Sequence, residues 1–525
     1  MTNMRSGLRS LALAGLVLAV SVAPSLAADK TIKMVPRGDL NILDPIWSTV
    51  AVTRNYGFMV YDMLYALDAK FQAQPQMLEK SELSADGLTY TMTLRPGLKW
   101  HDGTPVTAAD CVASIERWSK RNLLGQQIAA LKVSLEAKDD KTIVLVLKEK
   151  FDVPGALAQP TGSPAFMMPK RVAETDANTQ IKETIGSGPF MFKKEEWKPG
   201  NLEVFVKNPD YIPRKEAASF LAGGKVVKVD RVEWIHMPDP ATIMSALLAG
   251  EIDYYENPST DFLPLFEKNK DIKIVDLDPM GSQGTLRLNH LHPPFNNEKI
   301  RQAVLHAIDR ETYSKAVIGD ARYYWKDCHA LFGCGGPFQS DAGAVKKKDI
   351  AKAKALLKEG GYNNEKVVVM DPSNVPVLHA AVMVTVDALR SIGMNVEVQA
   401  MDVGTMIRRR ASKDAPDKGG WNVFHTQFQG IDIISPASHQ YITAGCEKAP
   451  PGWPCDKQLE DLRAAFLKET NPAKQKEIAN AMQKRAYEFV PYIAVGQWKQ
   501  PVAYRASLSG VLESAATVFW NIDKK

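Results

Sequence analysis

The chain has 525 residues, with 65 Lys and Arg against 60 Asp and Glu, a formal charge of +5, and 45% apolar, 24% charged and 8% aromatic side chains. At roughly 100 to 200 residues per domain this length suits two to four domains, and the globular mixture excludes disordered, collagen-like and multi-span membrane chains. No stretch gathers enough basic residues for a phosphate-neutralising face, so nucleic acid is not an expected partner.

The chain opens on Arg5 and Arg9, an apolar run over 11–20 (LALAGLVLAV), and the small residues of Ser25-Leu26-Ala27 before Ala28. Ten apolar residues fall short of the roughly 20 that span a bilayer. Residues 1–27 therefore read as a secretory signal peptide, cleaved after Ala27 or Ala28. No Cys lies near the cleavage region to carry a lipid. Without the two arginines 63 basic side chains face 60 acidic ones, a formal +3. The mature protein is expected to be exported and free in solution.

The segment 30–35 (KTIKMV) predicts a strand, and 53–67 predicts a helix with Tyr56, Val60, Met63, Leu64 and Leu67 on one stripe. Leu88, Tyr90, Met92 and Leu94 then alternate with Thr89, Thr91, Thr93 and Arg95, and 142–147 (TIVLVL) is another strand. Thr107 and Asp110 are placed for a capping box on a helix that carries Cys111, Ile115 and Trp118 on one face. Residues 61–185 thus read as an α+β unit with antiparallel sheet.

From 186 the texture changes. A strand over 231–236, a helix capped by Asp239 with Pro240 at its start and ended by Gly250, and a strand from Ile252 predict a βαβ crossover and a parallel pair. Asn296 or Asn297, then Asp349, can cap two further helices. The clearest crossover follows: strand 367–370, helix 377–392 closed by Gly393, strand 395–399, short helix 403–410, strand 421–426. The division expected is a discontinuous α/β lobe one (28–60, 186–283 and 497–525), an insert (61–185) and an α/β lobe two (284–496).

Of five cysteines, Cys328 and Cys334 lie six apart, and Cys446 and Cys455 nine apart, spacings that suit local disulfides in an oxidising compartment and exceed the two to four residues of zinc loops. Cys111 is left over and reads as a buried thiol. His290 and His292 could ligate a metal but stand before Pro293-Pro294 in a turn, with no third ligand at a suitable spacing. No metal or cofactor is expected. GxSxG, HExxH, Walker A and GxGxxG patterns are absent, so nothing positive favours an enzyme.

The run 88–110 (LTYTMTLRPGLKWHDGTPVTAAD), followed by 114–118 (SIERW), closely resembles the signature of extracytoplasmic solute-binding proteins of the peptide/nickel type, family 5. Leu43-Asp44-Pro45, Gly186-Ser187-Gly188-Pro189-Phe190, 249–253 (AGEID), 293–297 (PPFNN), 301–304 (RQAV) and 307–310 (AIDR) extend the resemblance along the mature chain in order. It implies a two-lobed periplasmic-binding-protein fold (class II, cluster C type) with an α+β domain inserted in lobe one. It also implies a monomeric periplasmic carrier that closes on a peptide or other amine-bearing solute and delivers it to the permease of an ABC importer. A nickel or metal-chelate carrier of the same family and a secreted hydrolase are the alternatives.

The resemblance also implies a site. Peptide-binding members hold the ligand's α-ammonium with an Asp four residues before a Pro, a spacing kept by Asp432 and Pro436. Cys446 and Cys455 resemble the loop disulfide of dipeptide-binding relatives. Trp421, Phe428 and Trp498 near strand ends, with Gln283, Asn289, Gln429 and Trp47, complete the expected ligand set. His425 and His439 flank the same loop. Where dipeptide relatives carry an Arg for the ligand's carboxylate, this chain has Asp371-Pro372-Ser373-Asn374, and the Asp432 loop is apolar (Ile431, Ile433, Ile434). The pattern leaves a cationic solute, a longer peptide or an amino-acid conjugate open.

Overall fold

The computed structural model describes residues 30–160, 162–469 and 471–525; the expected signal peptide lies outside them. Two sheets organise the chain. The first has seven strands in the order Phe190–Phe192, Leu202–Lys207, Arg231–Ile235, Thr31–Val35, Tyr254–Tyr255, Val502–Arg505, Ile272–Val275. The second has five, in the order Asn395–Met401, Lys366–Pro372, Val423–Gln429, Ser282–Leu288, Ile493–Trp498.

The chain passes from one sheet to the other twice, through residues 276–281 and back through 499–501. These crossings lie beside the expected lobe borders, which fall inside the strands Ser282–Leu288 and Ile493–Trp498. Two α/β lobes joined by two crossing segments are the fold class the sequence implied.

Residues 231–236 and 252–255 are not neighbours, as the crossover reading supposed. The opening strand Thr31–Val35 runs parallel between Arg231–Ile235 and Tyr254–Tyr255. Its alternating Ile32 and Met34 are wholly buried, so the centre of the sheet, where both faces are covered, is where it loses most apolar surface to water.

The first helix is also shorter than its stripe suggested. It spans Ala51–Val60, and Tyr61 turns extended. Residues 52–60 are all buried, so the segment has no polar face to mark where helix gives way to strand, and the apolar spacing runs on through Met63, Leu64 and Leu67. The backbone of Met63 and Leu64 pairs instead with Met77 and Gln76, whose N–H groups donate to it at 3.1 and 2.8 Å.

At this point the chain leaves lobe one and builds a four-stranded antiparallel sheet, Leu78–Leu83, Thr89–Leu94, Thr142–Leu147 and Lys132–Ala137 in spatial order. The return is fixed by the Gly-Ser-Gly motif. Gly188 N–H donates to the Val60 carbonyl at 2.9 Å, and a Cβ on Gly186 would stand 2.0 Å from that same oxygen. Only glycine lets the outgoing and returning chain segments touch. The insert shares one apolar core with lobe one: Tyr90, Met92, Leu94, Ile115 and Trp118 belong to the cluster that holds Ile32, Met34 and Trp234.

The expected caps form. Thr107 and Asp110 make a reciprocal capping box, Asp239 accepts from Thr242 N–H at 2.7 Å, Asn297 from Lys299 N–H at 2.9 Å, and Asp349 from Lys352 N–H at 2.9 Å. Cys328 bonds Cys334, Cys446 bonds Cys455, and Cys111 is a buried free thiol whose pKa burial pushes far up.

Candidate functional site at the lobe seam

The carboxyl ends of Val423–Gln429 and Ile493–Trp498 and the start of Ser282–Leu288 meet at the crossings, since Ser282 pairs with both Gln429 and Trp498. The short helix Gly430–Ile433 follows and carries Asp432. Its apolar neighbours have a purpose: Ile431 and Ile434 are buried in the lobe-one cluster, together with Met280 of the crossing segment. The apolar loop around Asp432 is thus the gasket of the seam.

Across that gasket stands Arg54, from the buried helix Ala51–Val60. Its Nη1 is 3.6 Å from Asp432 Oδ1, with the arginine side chain 2% exposed and the aspartate 23%. Neither Asp432 Oδ1 nor Arg54 Nε or Nη2 has a hydrogen-bond partner among the described residues. Burial pushes the Asp432 carboxyl up and Arg54, with the backbone of Gln429 and Gly162, holds it down; burial likewise lowers Arg54, and Asp432 raises it. Taking two charges out of water with one long contact between them is expensive, and such half-satisfied groups concentrate where a ligand binds.

Further charged groups surround the pair. Asp278, on the crossing segment, is pushed up to about 6 by burial, with Arg54 and Arg37 acting against that shift. Glu256 accepts from Arg37 N–H at 2.8 Å, Asn55 Nδ2 at 2.9 Å and Thr517 Oγ1 at 2.7 Å. Beside them a cavity of about 30 Å³ is lined by Arg37, Asp278, Gln429, Gln500 and Thr517. It has room for about one water, and with Ile431 and Ile434 packed into the lobe-one cluster the two lobes are in contact at this seam.

The other expected contacts are distributed as follows. Gln429 lines the cavity and Phe428, half-buried, lies edge-on to Tyr441 at 4.7 Å between centroids. Trp498 ends its strand in a small cluster with Ile318 and Tyr324. Gln283 begins at the seam but points inward, donating to Ala330 O at 3.1 Å and accepting from Tyr492 OH at 3.1 Å. Trp421 and Asn289 stand at the opposite end of the same sheet, where Asn289 Nδ2 donates to Trp421 O at 2.9 Å and Trp421 packs on Trp453 and Phe424. Seven strand residues separate that end from the seam, about 23 Å. Trp47 lies under the Arg121 guanidinium, 4.4 Å from its ring centroid.

The histidines are structural in their contacts. His425 Nε2 meets Thr385 Oγ1 at 2.7 Å, His439 Nε2 meets Tyr492 OH at 2.7 Å, and His292 Nε2 meets Lys413 O at 2.9 Å. Among the described residues no three His, Cys, Asp or Glu side chains cluster as metal ligands.

Arg54 is the residue that sequence reading missed. The signal was present: in 51–60 (AVTRNYGFMV) Arg54 is the one charged residue of a short segment that is otherwise apolar or neutral, and a charge inside a buried helix asks for a partner.

The model of the bacterial extracellular solute-binding proteins, family 5 Middle, matches residues 72–448. A probable peptide ABC transporter periplasmic-binding protein of Sinorhizobium fredii is 37% identical over 505 residues, covering 95% of this chain and 94% of the relative. A glutathione-binding protein of Escherichia coli strain K12 is 26% identical over 533 residues, 96% of each. Among solved structures, the Helicobacter pylori periplasmic binding protein in complex with peptide STSA superposes with a TM-score of 0.78 at 20% identity, over 94% of this chain and 98% of that one. The agropinic acid complex from A. tumefaciens R10 gives 0.76 at 22%, over 94% and 99%. These structural likenesses speak for the fold.

Proposed function

Because the chain belongs to the bacterial extracellular solute-binding proteins of family 5, we propose that it captures a small amine-bearing solute, a peptide or an amino-acid conjugate, between its two lobes. The solute is then delivered to the permease of an ABC importer. In this reading the protein is a periplasmic monomer and does no chemistry on its cargo. The lobes comprise 28–60, 186–283 and 497–525 on one side and 284–496 on the other, with 61–185 inserted. No helix of the described residues is long and apolar enough to cross a membrane.

One observation carries the reading: the partly exposed Asp432 carboxylate, whose buried Oδ1 has no donor among the described residues, sits on lobe two where it faces lobe one. An ammonium donating to Oδ1 makes a charge-assisted hydrogen bond in a site from which closure has expelled water. Because the ligand then touches both lobes, its binding energy is realised mainly when they are shut, and it shifts the hinge equilibrium toward that state. Gln429 and Phe428 border the same loop and Trp498 the crossing.

The test is a library of di- to tetrapeptides and amino-acid conjugates added to ligand-free protein. A cognate solute raises the melting temperature and shrinks the radius of gyration in X-ray scattering. Asp432→Asn loses both responses. A library that gives neither change, or an unaltered response in the variant, refutes the reading.

A further inference from the structure

We propose that Arg54 is the second pole of the site, and that the solute presents an α-amino-acid head group whose carboxylate Arg54 holds beside the ammonium on Asp432. The inference rests on the reading just given and narrows its ligand.

Arg54 offers two edges. Nη1 faces Asp432 Oδ1 at 3.6 Å, while Nε and Nη2 are out of water and without partners among the described residues. Nε and Nη2 together form the planar fork that accepts a carboxylate in two parallel hydrogen bonds. The neighbouring charges do not occupy it: Glu256 is engaged by Arg37, Asn55 and Thr517, and Asp278 accepts from Met280 N–H at 3.0 Å. With the lobes in contact at the seam the fork is covered, so they must part before a ligand reaches it.

The closeness of the two poles sets the chemistry. A guanidinium and a carboxylate already near contact can be bridged by a cation and an anion only if the ligand carries them close together. An α-amino acid does so, with ammonium and carboxylate on one carbon. In an ordinary dipeptide the two free ends sit on different Cα atoms, about 3.8 Å apart across the trans peptide, and the group next to the ammonium is a neutral amide. The absence of an Arg before the helix Pro376–Ser391 fits the same picture, since the carboxylate anchor lies on lobe one instead.

The decisive pair of ligands is γ-glutamylalanine and α-glutamylalanine, isomers of identical composition and charge that differ in whether ammonium and carboxylate share a carbon. Calorimetric titration is expected to give at least tenfold tighter binding of the γ isomer. Arg54→Gln should weaken the γ isomer by about 10- to 100-fold, the range of a charge-assisted hydrogen bond, and abolish the preference. Arg54→Lys, which keeps the charge and loses the fork, should fall between. Circular dichroism and melting of each variant report whether it has folded, and a preference lost in a folded Arg54→Lys suffices by itself.

Equal binding of the isomers, tighter binding of the α isomer, or a preference that survives in both variants overturns the assignment. So does failure of both isomers while another peptide raises the melting temperature, an outcome that leaves capture standing. No response to any solute overturns capture and this inference together.

Discussion

Lys499 Nζ lies 2.8 Å from Asp276 Oδ2, so the two segments that cross between the lobes are tied to each other by an ion pair. Lys499 also projects over the Trp325 ring, 5.4 Å from its centroid. The pair is partly exposed, 36% and 18%, and such pairs contribute about 0 to 1 kcal/mol to stability. Its leverage is on the hinge. Asp276→Ala is expected to move the melting temperature by no more than about 2 °C while enlarging the radius of gyration of ligand-free protein. An unchanged radius would deny the tie a part in closure.

Asp44 and Arg117 form a bidentate pair deep in the core, at 3.1 and 2.7 Å. Two motifs of the family resemblance, Leu43-Asp44-Pro45 and the segment ending Glu116-Arg117-Trp118, therefore meet in space. Asp44 also accepts from Ile181 N–H at 3.0 Å, and Arg117 donates to the carbonyls of Thr175 and Thr179 at 2.9 and 3.0 Å. The pair staples the insert's helix and its exit loop to lobe one. Breaking a buried pair from one side costs about 3 to 5 kcal/mol because the other charge is stranded. Asp44→Asn should lower stability in urea by that amount, and Arg117→Met added to it should cost less than the sum of the two single changes. Additivity would show that no charge is stranded.

Elements were legible wherever one face met water and the other met core. Thr89–Leu94 alternates cleanly, and the capped helices begin at the residues their Asp, Asn and Thr side chains mark. Burial on all sides erased the signal, as in 51–67, where helix and strand share one apolar texture. The site was legible by halves. Asp432 stood out in a loop, where an acid four residues before a proline resembles a known pattern. Its partner lies 378 positions earlier by residue number, and no local periodicity points from one to the other. Trp421 was expected beside a strand end at the ligand; it lies two residues before the strand Val423–Gln429, whose other end reaches the seam.

The Cys446–Cys455 disulfide closes a loop whose Pro450 and Pro451 carbonyls accept from Arg287 at 3.2 and 2.7 Å. Arg287 is wholly buried, stacks 4.3 Å from the Tyr441 ring centroid, and burial lowers its pKa to about 10. A loop of this length is worth about 2 to 3 kcal/mol in chain entropy, and losing it also frees two of the acceptors that keep Arg287 satisfied. Replacing Cys446 and Cys455 by Ser is expected to destabilise the protein more than replacing Cys328 and Cys334, whose loop is shorter. Chemical denaturation of the two double variants, side by side, decides it, and the reverse order would mean the Arg287 cage does not depend on the bridge.

Acid should act on the protein in two opposed ways. His439 donates from Nε2 to Tyr492 OH at 2.7 Å, and its Nδ1 accepts from Tyr441 N–H at 3.3 Å, so the buried ring is neutral with no place for a second proton. Burial holds His439 and His425 down to about 3, and His101, whose Nδ1 accepts from Gly186 N–H at 3.2 Å, down to about 4. For a base whose folded pKa is depressed, the stabilisation is complete above the unfolded value near 6.5 and is lost as pH falls toward the folded one. Asp278 has the other sign. Its carboxyl is raised from 3.8 to about 6, so its contribution is complete below 3.8 and is lost as pH rises through about 6. The histidines are the more numerous and shift further, so the melting temperature should decline below pH 6.5. His439→Gln should flatten that decline. Asp278→Asn should raise the melting temperature at pH 7.5 and leave it unchanged at pH 3.5, where the native carboxyl is already protonated. A variant equal to the parent at both values would show that the Asp278 carboxyl is not held out of water at the crossing.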